Sequence, residues 1–263
     1  MTLHSGPGWL LINTFAKWPL AAAAISGCVY YGSAFIENTD MPIVSVTFDD
    51  GNYSIHEKAF PYMKSKSIVA TTFPTGENIG EETYVSFEDL KEEVKEGWEV
   101  GSHTITHVDL TTISELEVYK ELTKSKKFLE DGVGMPIFSF ASPFGEFNDS
   151  VIDAVESVYD NHVNAYSEYK GMNFRDTFDR YNIHRLDVTE DVSAKYVCDV
   201  IKNLKNKDEW FVILFHDIID EKPVLPDGKW QTSYEKFTTI IDCIDQSDVK
   251  DVTISEGVYL MEN

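Results

Sequence analysis

The sequence predicts an α/β protein whose parallel strands close into a barrel, preceded by an apolar N-terminal segment. Three observations predict it. From Met41 to the end, short β-branched or aromatic runs alternate with stretches of helical periodicity, the pattern of parallel strands joined by crossover helices. Polar residues fall where several apolar runs end, which is where a barrel of βα units gathers its functional groups. No Gly-rich phosphate loop follows the first strand, which argues against the open doubly wound alternative.

Residues 1–40 form one unit and 41–263 another. Trp18–Ile36 carries no charge, is close to the roughly 20 residues that cross a bilayer, and lies between Lys17 and the acidic Glu37 and Asp40. The positive-inside rule then places the C-terminal part outside. Three readings compete: a membrane anchor, a signal peptide with a lipobox-like Ile25-Ser26-Gly27-Cys28 that would be lipidated at Cys28, or a dispensable tail before a start at Met41. The first two give an extracellular or membrane-anchored catalytic domain, the last a cytoplasmic one.

In the second unit, Ile43–Phe48 reads as a buried strand. A helix follows with Ile55, Ala59, Phe60 and Met63 on its apolar face, then a strand at Ile68–Phe73. Phe87, Leu90 and Val94 make a helix stripe ended by Gly97, and Trp98–Gly101 is a third strand. Thr112 with Glu115 resembles a capping box opening a long helix, with Leu116, Tyr119, Leu122 and Leu129 on one face. Ile137–Ala141 is a fourth strand, followed by a helix carrying Val151, Ile152 and Val155. Weaker strands are expected at Val163–Tyr166 and Asn182–Leu186, then a helix at Val192–Leu204, a strong strand at Trp210–Phe215, a helix at Tyr234–Ile244 and a last strand at Asp251–Ile254.

Composition narrows the function classes. The apolar share of 43% is globular, and 45 acidic against 22 basic residues give a net charge of −23. A polyanion is repelled by such a surface, so nucleic acid is not expected as a partner. Cys28, Cys198 and Cys243 form no CxxC pair, which disfavours a thiolate zinc site. Cys198 and Cys243 read as small buried apolar side chains, with no disulfide framework indicated.

Asp49 and Asp50 end the first strand. His103 ends the third, with His107 four residues on, the spacing of one helical turn. Ser142-Pro143-Phe144-Gly145 ends the fourth, and His216-Asp217 ends the strand at Phe211–Phe215. The histidine pair alone suits a capping or surface role equally well. An aspartate from another strand end completes a two-His, one-carboxylate set that leaves metal positions open for water and substrate. Zinc suits these ligands; cobalt, nickel and iron also fit. Asp49 and Asp50 point to opposite sides of an extended backbone, and a turn at Gly51 can splay them so that one binds metal and the other stands beside the attacking water. An Asx-turn closing the strand is the competing role.

Thr47-Phe48-Asp49-Asp50-Gly51, Ser102-His103-Thr104-Ile105-Thr106-His107, Phe140-Ala141-Ser142-Pro143-Phe144-Gly145 and Leu214-Phe215-His216-Asp217, in this order, resemble the motifs of the NodB-type polysaccharide deacetylases, carbohydrate esterase family four. The resemblance covers most of 41–263 and implies a distorted (β/α) barrel of about seven strands. It implies that Asp49 is the general base and His216 the general acid, that Asp50, His103 and His107 hold a divalent metal, that the Phe144 N–H binds the oxyanion, and that Leu214 and Pro143 contact the substrate. The family's usual arginine beside Asp49 is missing from Phe140-Ala141-Ser142. Arg185, at the end of a predicted strand, is a candidate replacement; a structural ion pair is its other reading. The family's Asp- and Trp-containing fourth motif is not evident.

The resemblance implies hydrolysis of the N-acetyl group of a GlcNAc-containing polysaccharide or oligosaccharide. Two other functions stay open: hydrolysis of another amide, such as a formylated sugar or a cyclic imide, and carbohydrate binding by a protein that keeps the metal without the activity. The glycan, its linkage and the oligomeric state are not specified by these residues.

Overall fold

The computed structural model describes residues 40–165, 169–221 and 230–263. The run Trp18–Ile36 and Cys28 lie outside the described residues, as does Tyr166. Among the described residues no helix is long and apolar enough to cross a membrane.

The strands are β1 (Ile43–Asp50), β2 (Thr71–Pro74), β3 (Glu99–Val100), β4 (Ser139–Ala141), β5 (Asn161–Val163), β6 (Met172–Phe174), β7 (Leu186–Asp187), β8 (Glu209–Phe215), β9 (Asp217–Ile219), β10 (Gln231–Ser233) and β11 (Lys250–Asp251). The α-helices are α1 (Phe60–Ser65), α2 (Phe87–Lys95), α3 (Glu115–Val133), α4 (Asp149–Glu156), α5 (Ala194–Asn203), α6 (Tyr234–Asp245) and α7 (Ile254–Glu262). Parallel ladders join β3 to β2, β2 to β1, β1 to β8, β8 to β7 and β4 to β5. Single parallel bridges at Ser102–Phe140 and Val163–Ile183 complete the circuit through β3, β4, β5 and β7. The result is a distorted seven-stranded α/β barrel. β11 pairs with the start of β1, and β6 runs antiparallel to the start of β8.

Side-chain parity on β1 and β8 sorts the core. Val44, Val46 and Phe48, with Phe211, Ile213 and Phe215, point outward and pack under α1, α5 and α6. Ile43, Trp210 and Val212 point inward and meet Phe73, Ala141, Val163 and Ile183. The same inward parity carries up to Asp49 on β1 and to His216 just beyond β8. At the lower end the barrel is plugged by α7, which contributes Ile254 and Val258. Gly257 lets α7 seat there, since a Cβ would lie 2.3 Å from the Trp210 ring.

Several expectations need correction. The helix after β1 opens as a π-helix, Ile55–Ala59, before α1. The capping box of α3 is Ser114 with Glu117, not Thr112 with Glu115. Its buried stripe is Val118, Leu122, Ser125, Leu129 and Val133; Leu116 and Tyr119 are exposed. Leu122 and Leu129 are buried as expected; Leu116 and Tyr119 keep helical spacing with them but lie at the solvent side of the stripe. The last strand stops at Asp251, and Ile254 begins α7, with Thr253 and Glu256 forming its capping box. Cys198 and Cys243 are joined by a disulfide between α5 and α6. They are 45 residues apart in sequence, so only the packing of these two helices brings them together.

Candidate metal centre and active site

The site lies at the C-terminal rim of the barrel, where the chain departs from ordinary backbone. Among the described residues six non-glycine positions have positive φ, and four of them are Asp50 (69°), Thr104 (66°), His107 (57°) and Phe144 (60°). Such conformations cost free energy and persist only where surrounding structure holds them. Here that structure is visible. Gly51, at φ 78°, closes the turn after β1 through its N–H to the Asp49 carbonyl. This swings Asp50 out of strand parity while Asp49 stays inward.

His103 and His107 are not on a helix, as their spacing suggested, but on a tight loop. Thr104 Oγ1 accepts from the His107 N–H at 3.0 Å. The Glu121 carboxylate on α3 accepts from Ile105 N–H at 2.9 Å and from Thr106 N–H at 3.1 Å. The loop is tied to the rim above β2 as well, because Gly76 N–H and Glu77 N–H donate to the carbonyls of Thr104 and Ile105.

The three candidate ligand atoms form a triangle. His103 Nε2 and His107 Nε2 are 3.2 Å apart, and Asp50 Oδ1 lies 3.6 Å from the first and 3.3 Å from the second. Ligands about 2.0–2.1 Å from one ion at tetrahedral angles lie about 3.3–3.4 Å from each other. The Nδ1–H of His103 donates to the Ala141 carbonyl at 2.8 Å, which leaves the Nε2 lone pair facing the triangle. Burial pushes the His103 imidazole below its ordinary pKa and so favours the neutral, ligating form. The donor set fits a divalent cation, and among the described residues it is the one grouping of this kind.

Asp49, next in sequence to Asp50, is 2% exposed and close enough to His103 for the two charges to interact. Arg185 donates to both of its oxygens, Nη1 to Oδ1 and Nη2 to Oδ2, each at 2.7 Å. The guanidinium is itself held by the Asn164 carbonyl at 2.6 Å and by Thr47 Oγ1 at 3.3 Å. Burial alone would raise the Asp49 carboxyl. The charge of Arg185, then that of His103, the hydrogen bonds from Arg185 and the charge of His216 outweigh it and hold the carboxyl below the usual range. The arginine missing from the β4 end is thus supplied by the strand that leads into β7.

His216 faces the same space. Its Nδ1 is 3.6 Å from Asp187 Oδ1, and its ring centroid is 5.2 Å from that of Trp230. Asp187 and Trp230 escaped the sequence reading, which found no Asp- and Trp-containing fourth motif. Asp187 was within reach: it stands two residues after Arg185, so strand period places both on the inner face. Trp230 carried no such signal. Leu214 is buried on the inner face between the registers of Thr47 and Asp187. Asp217, next to His216, instead accepts from Ser54 at 2.6 Å and from Gln231 at 3.0 Å, tying β9 to β10 and to the start of the helix after β1. Pro143 is buried, whereas Phe144 is exposed with its ring 4.6 Å from that of His107.

Residues 36–159 match the family model described as polysaccharide deacetylase. Over this stretch the chain is similar to the NodB-type polysaccharide deacetylases, the family its motifs resemble. The chain is 28% identical over 167 residues to the putative polysaccharide deacetylase YxkH of Bacillus subtilis, covering 62% of this chain and 57% of that one. It is 32% identical over 127 residues to the poly-beta-1,6-N-acetyl-D-glucosamine N-deacetylase of Staphylococcus aureus, covering 43% of this chain and 44% of that one. The chain therefore spans about half the length of these curated relatives. Its fold matches the Xyl-CE4 domain of a multidomain xylanase from the hindgut metagenome of Trinervitermes trinervoides, with a TM-score of 0.59 at 19% identity, over 84% of this chain and 91% of that one. It also matches the peptidoglycan deacetylase PdaC of Bacillus subtilis, with a TM-score of 0.57 at 21% identity, over 85% and 93%.

Proposed function

We propose that this chain hydrolyses the N-acetyl group of a GlcNAc-containing polysaccharide or oligosaccharide, releasing acetate and leaving a free amine. The observation that carries the reading is the triangle of Asp50, His103 and His107, with the Asp49–Arg185 pair and His216 close enough for their charges to act on one another. Zinc is the proposed ion, with cobalt, nickel or iron as alternatives. A divalent ion here would supply a Lewis acid and lower the pKa of water.

The chain's own groups divide the remaining work. Asp49 accepts the proton of the attacking water, and the two-pronged grip of Arg185 keeps its oxygens oriented. The Phe144 N–H donates to the carbonyl oxygen as it gains charge. The carbon–oxygen bond forms, the carbon–nitrogen bond breaks, and His216 delivers a proton to the departing nitrogen. Asp187 at Nδ1 orients that imidazole and leaves Nε2 for the transfer. Leu214 and Pro143 wall the space for the acetyl methyl.

A metal-retaining binder without activity was suggested by the missing arginine; Arg185 removes that reason. The disulfide between α5 and α6 and the uncharged run Trp18–Ile36 both support an exported or anchored protein with its catalytic domain in an oxidising compartment. The test is acetate release by the full chain across a panel of acetylated glycans, a formylated sugar and a cyclic imide, before and after chelation and metal add-back. Release from acetylated glycans that vanishes with chelator supports the proposal. Turnover confined to the formyl or imide substrates would overturn it.

A further inference from the structure

The loop that carries Phe144 is held from behind by a buried histidine that the mechanism above does not use. His162 on β5 is 0% exposed. Its Nδ1 lies 2.9 Å from the Tyr181 carbonyl, so that nitrogen carries the proton and donates. Its Nε2 therefore accepts, and the atom facing it, 2.9 Å away, is the hydroxyl of Ser142. The ring is fixed in orientation by Phe140 at 6.0 Å on one side and Phe147 at 5.0 Å on the other. Ser142 in turn accepts the Gly145 N–H at its carbonyl, closing the turn over Pro143 and Phe144.

We propose that His162 is a positioning residue for the deacetylation reaction. Through the Ser142 hydroxyl it fixes the turn that presents the Phe144 N–H, and it holds the Phe144 ring against the metal-ligand candidate His107. The proposal rests on the deacetylase reading. The argument is one of geometry. Phe144 sits at φ 60°, ψ 3°, a conformation that a bulky residue does not hold unaided. It follows Pro143, which offers no N–H to tie the turn down. The hydroxyl–imidazole bond anchors the residue at the base of this turn to the barrel wall. Because both partners are buried, the bond has no competition from water, and breaking it leaves an unpaired polar group behind the turn. The neighbouring carbonyl of Ala141 accepts the His103 Nδ1–H, so His103 and His162 are tied to adjacent residues, 141 and 142.

The test uses the full chain with metal restored, in four variants: Ser142→Ala, His162→Leu, the double variant, and His162→Gln, whose amide can donate to Tyr181 and accept from Ser142. Three quantities are read with a soluble N-acetylated oligosaccharide: kcat, KM and bound metal. Ser142→Ala and His162→Leu are each expected to lower kcat by about ten- to a hundredfold at unchanged KM and metal content. The double variant should be no worse than the worse single one, and His162→Gln should recover most of the loss. The 15N amide resonance of Phe144 needs no turnover. It should shift alike in Ser142→Ala and His162→Leu and return in His162→Gln, so the positioning claim is read separately from the activity. Wild-type kcat in Ser142→Ala, multiplied losses in the double variant, or an unmoved Phe144 resonance would each overturn the proposal. If His162→Leu fails to fold, Ser142→Ala and His162→Gln alone decide it.

Discussion

Two carboxylates at opposite ends of the barrel are held in opposite ways. Near the lower end, Glu99 on β3 accepts from Ser139 Oγ, Ser255 Oγ, the Ser255 N–H and Thr71 Oγ1. Its partners are neutral, they lie on ordinary strand and helix backbone, and the bond to Ser255 N–H seats the first turn of α7. At the upper end, Asp49 is buried with both oxygens on a guanidinium, next to four residues with left-handed backbone. The difference separates stability from function. A carboxylate that only joins elements is satisfied by neutral donors in relaxed geometry. One that must handle a proton is kept charged by an opposite charge, in a neighbourhood that stores strain.

Asp49→Asn tests the upper end with the largest expected effect. It should lower kcat/KM by about 10³-fold or more, within the range for losing a general base, at unchanged metal content. Loss of metal in step with activity would show that Asp49 supports the ligands instead. A region outside this contrast is the disulfide on the outer helices. Cys198→Ser should lower unfolding free energy by about 4 kcal/mol for a 45-residue loop, in denaturant titration, with kcat unchanged.

A pH effect separates the two ends further. Burial holds the His162 imidazole down at about 4, against an ordinary 6.5. The unfolded chain binds this proton and the folded one resists it. Stability is therefore complete above pH 6.5 and declines as pH falls from 6.5 toward 4, by roughly 3 kcal/mol at the lower bound. In His162→Gln this part of the slope should vanish from urea unfolding measured across that window. The smallest effect belongs to the lower end: Glu99→Gln should cost about 1–3 kcal/mol of stability, since a Gln amide cannot accept all four donors, and should leave kcat unchanged. A fall in kcat without a fall in stability would erase the distinction between the two ends.

What was legible in the sequence follows the same division. Strand alternation gave the barrel, and the ends of the apolar runs at Ile43–Phe48 and Phe211–Phe215 put Asp49 and His216 on one rim. The spacing of His103 and His107 was informative, but for the wrong local structure: two left-handed residues, not a helical turn, bring the rings together. Positive φ at Asp50 and Phe144 leaves no trace in a side-chain pattern, because it is imposed by neighbours distant in sequence. The face of α3 was read correctly at Leu122 and Leu129 and misread at Leu116 and Tyr119, which keep helical period while facing solvent. The pairing of Cys198 with Cys243 depends on how α5 meets α6, and no local pattern encodes it.

The central claim is that Asp50, His103 and His107 hold one catalytic ion. The most direct measurement is anomalous diffraction from crystals of the full chain supplied with zinc. The account predicts a single strong peak bonded to Oδ1 of Asp50 and to Nε2 of both histidines, absent in His107→Ala. A zinc ion bound elsewhere, or none at saturating zinc with those three side chains in place, would contradict it.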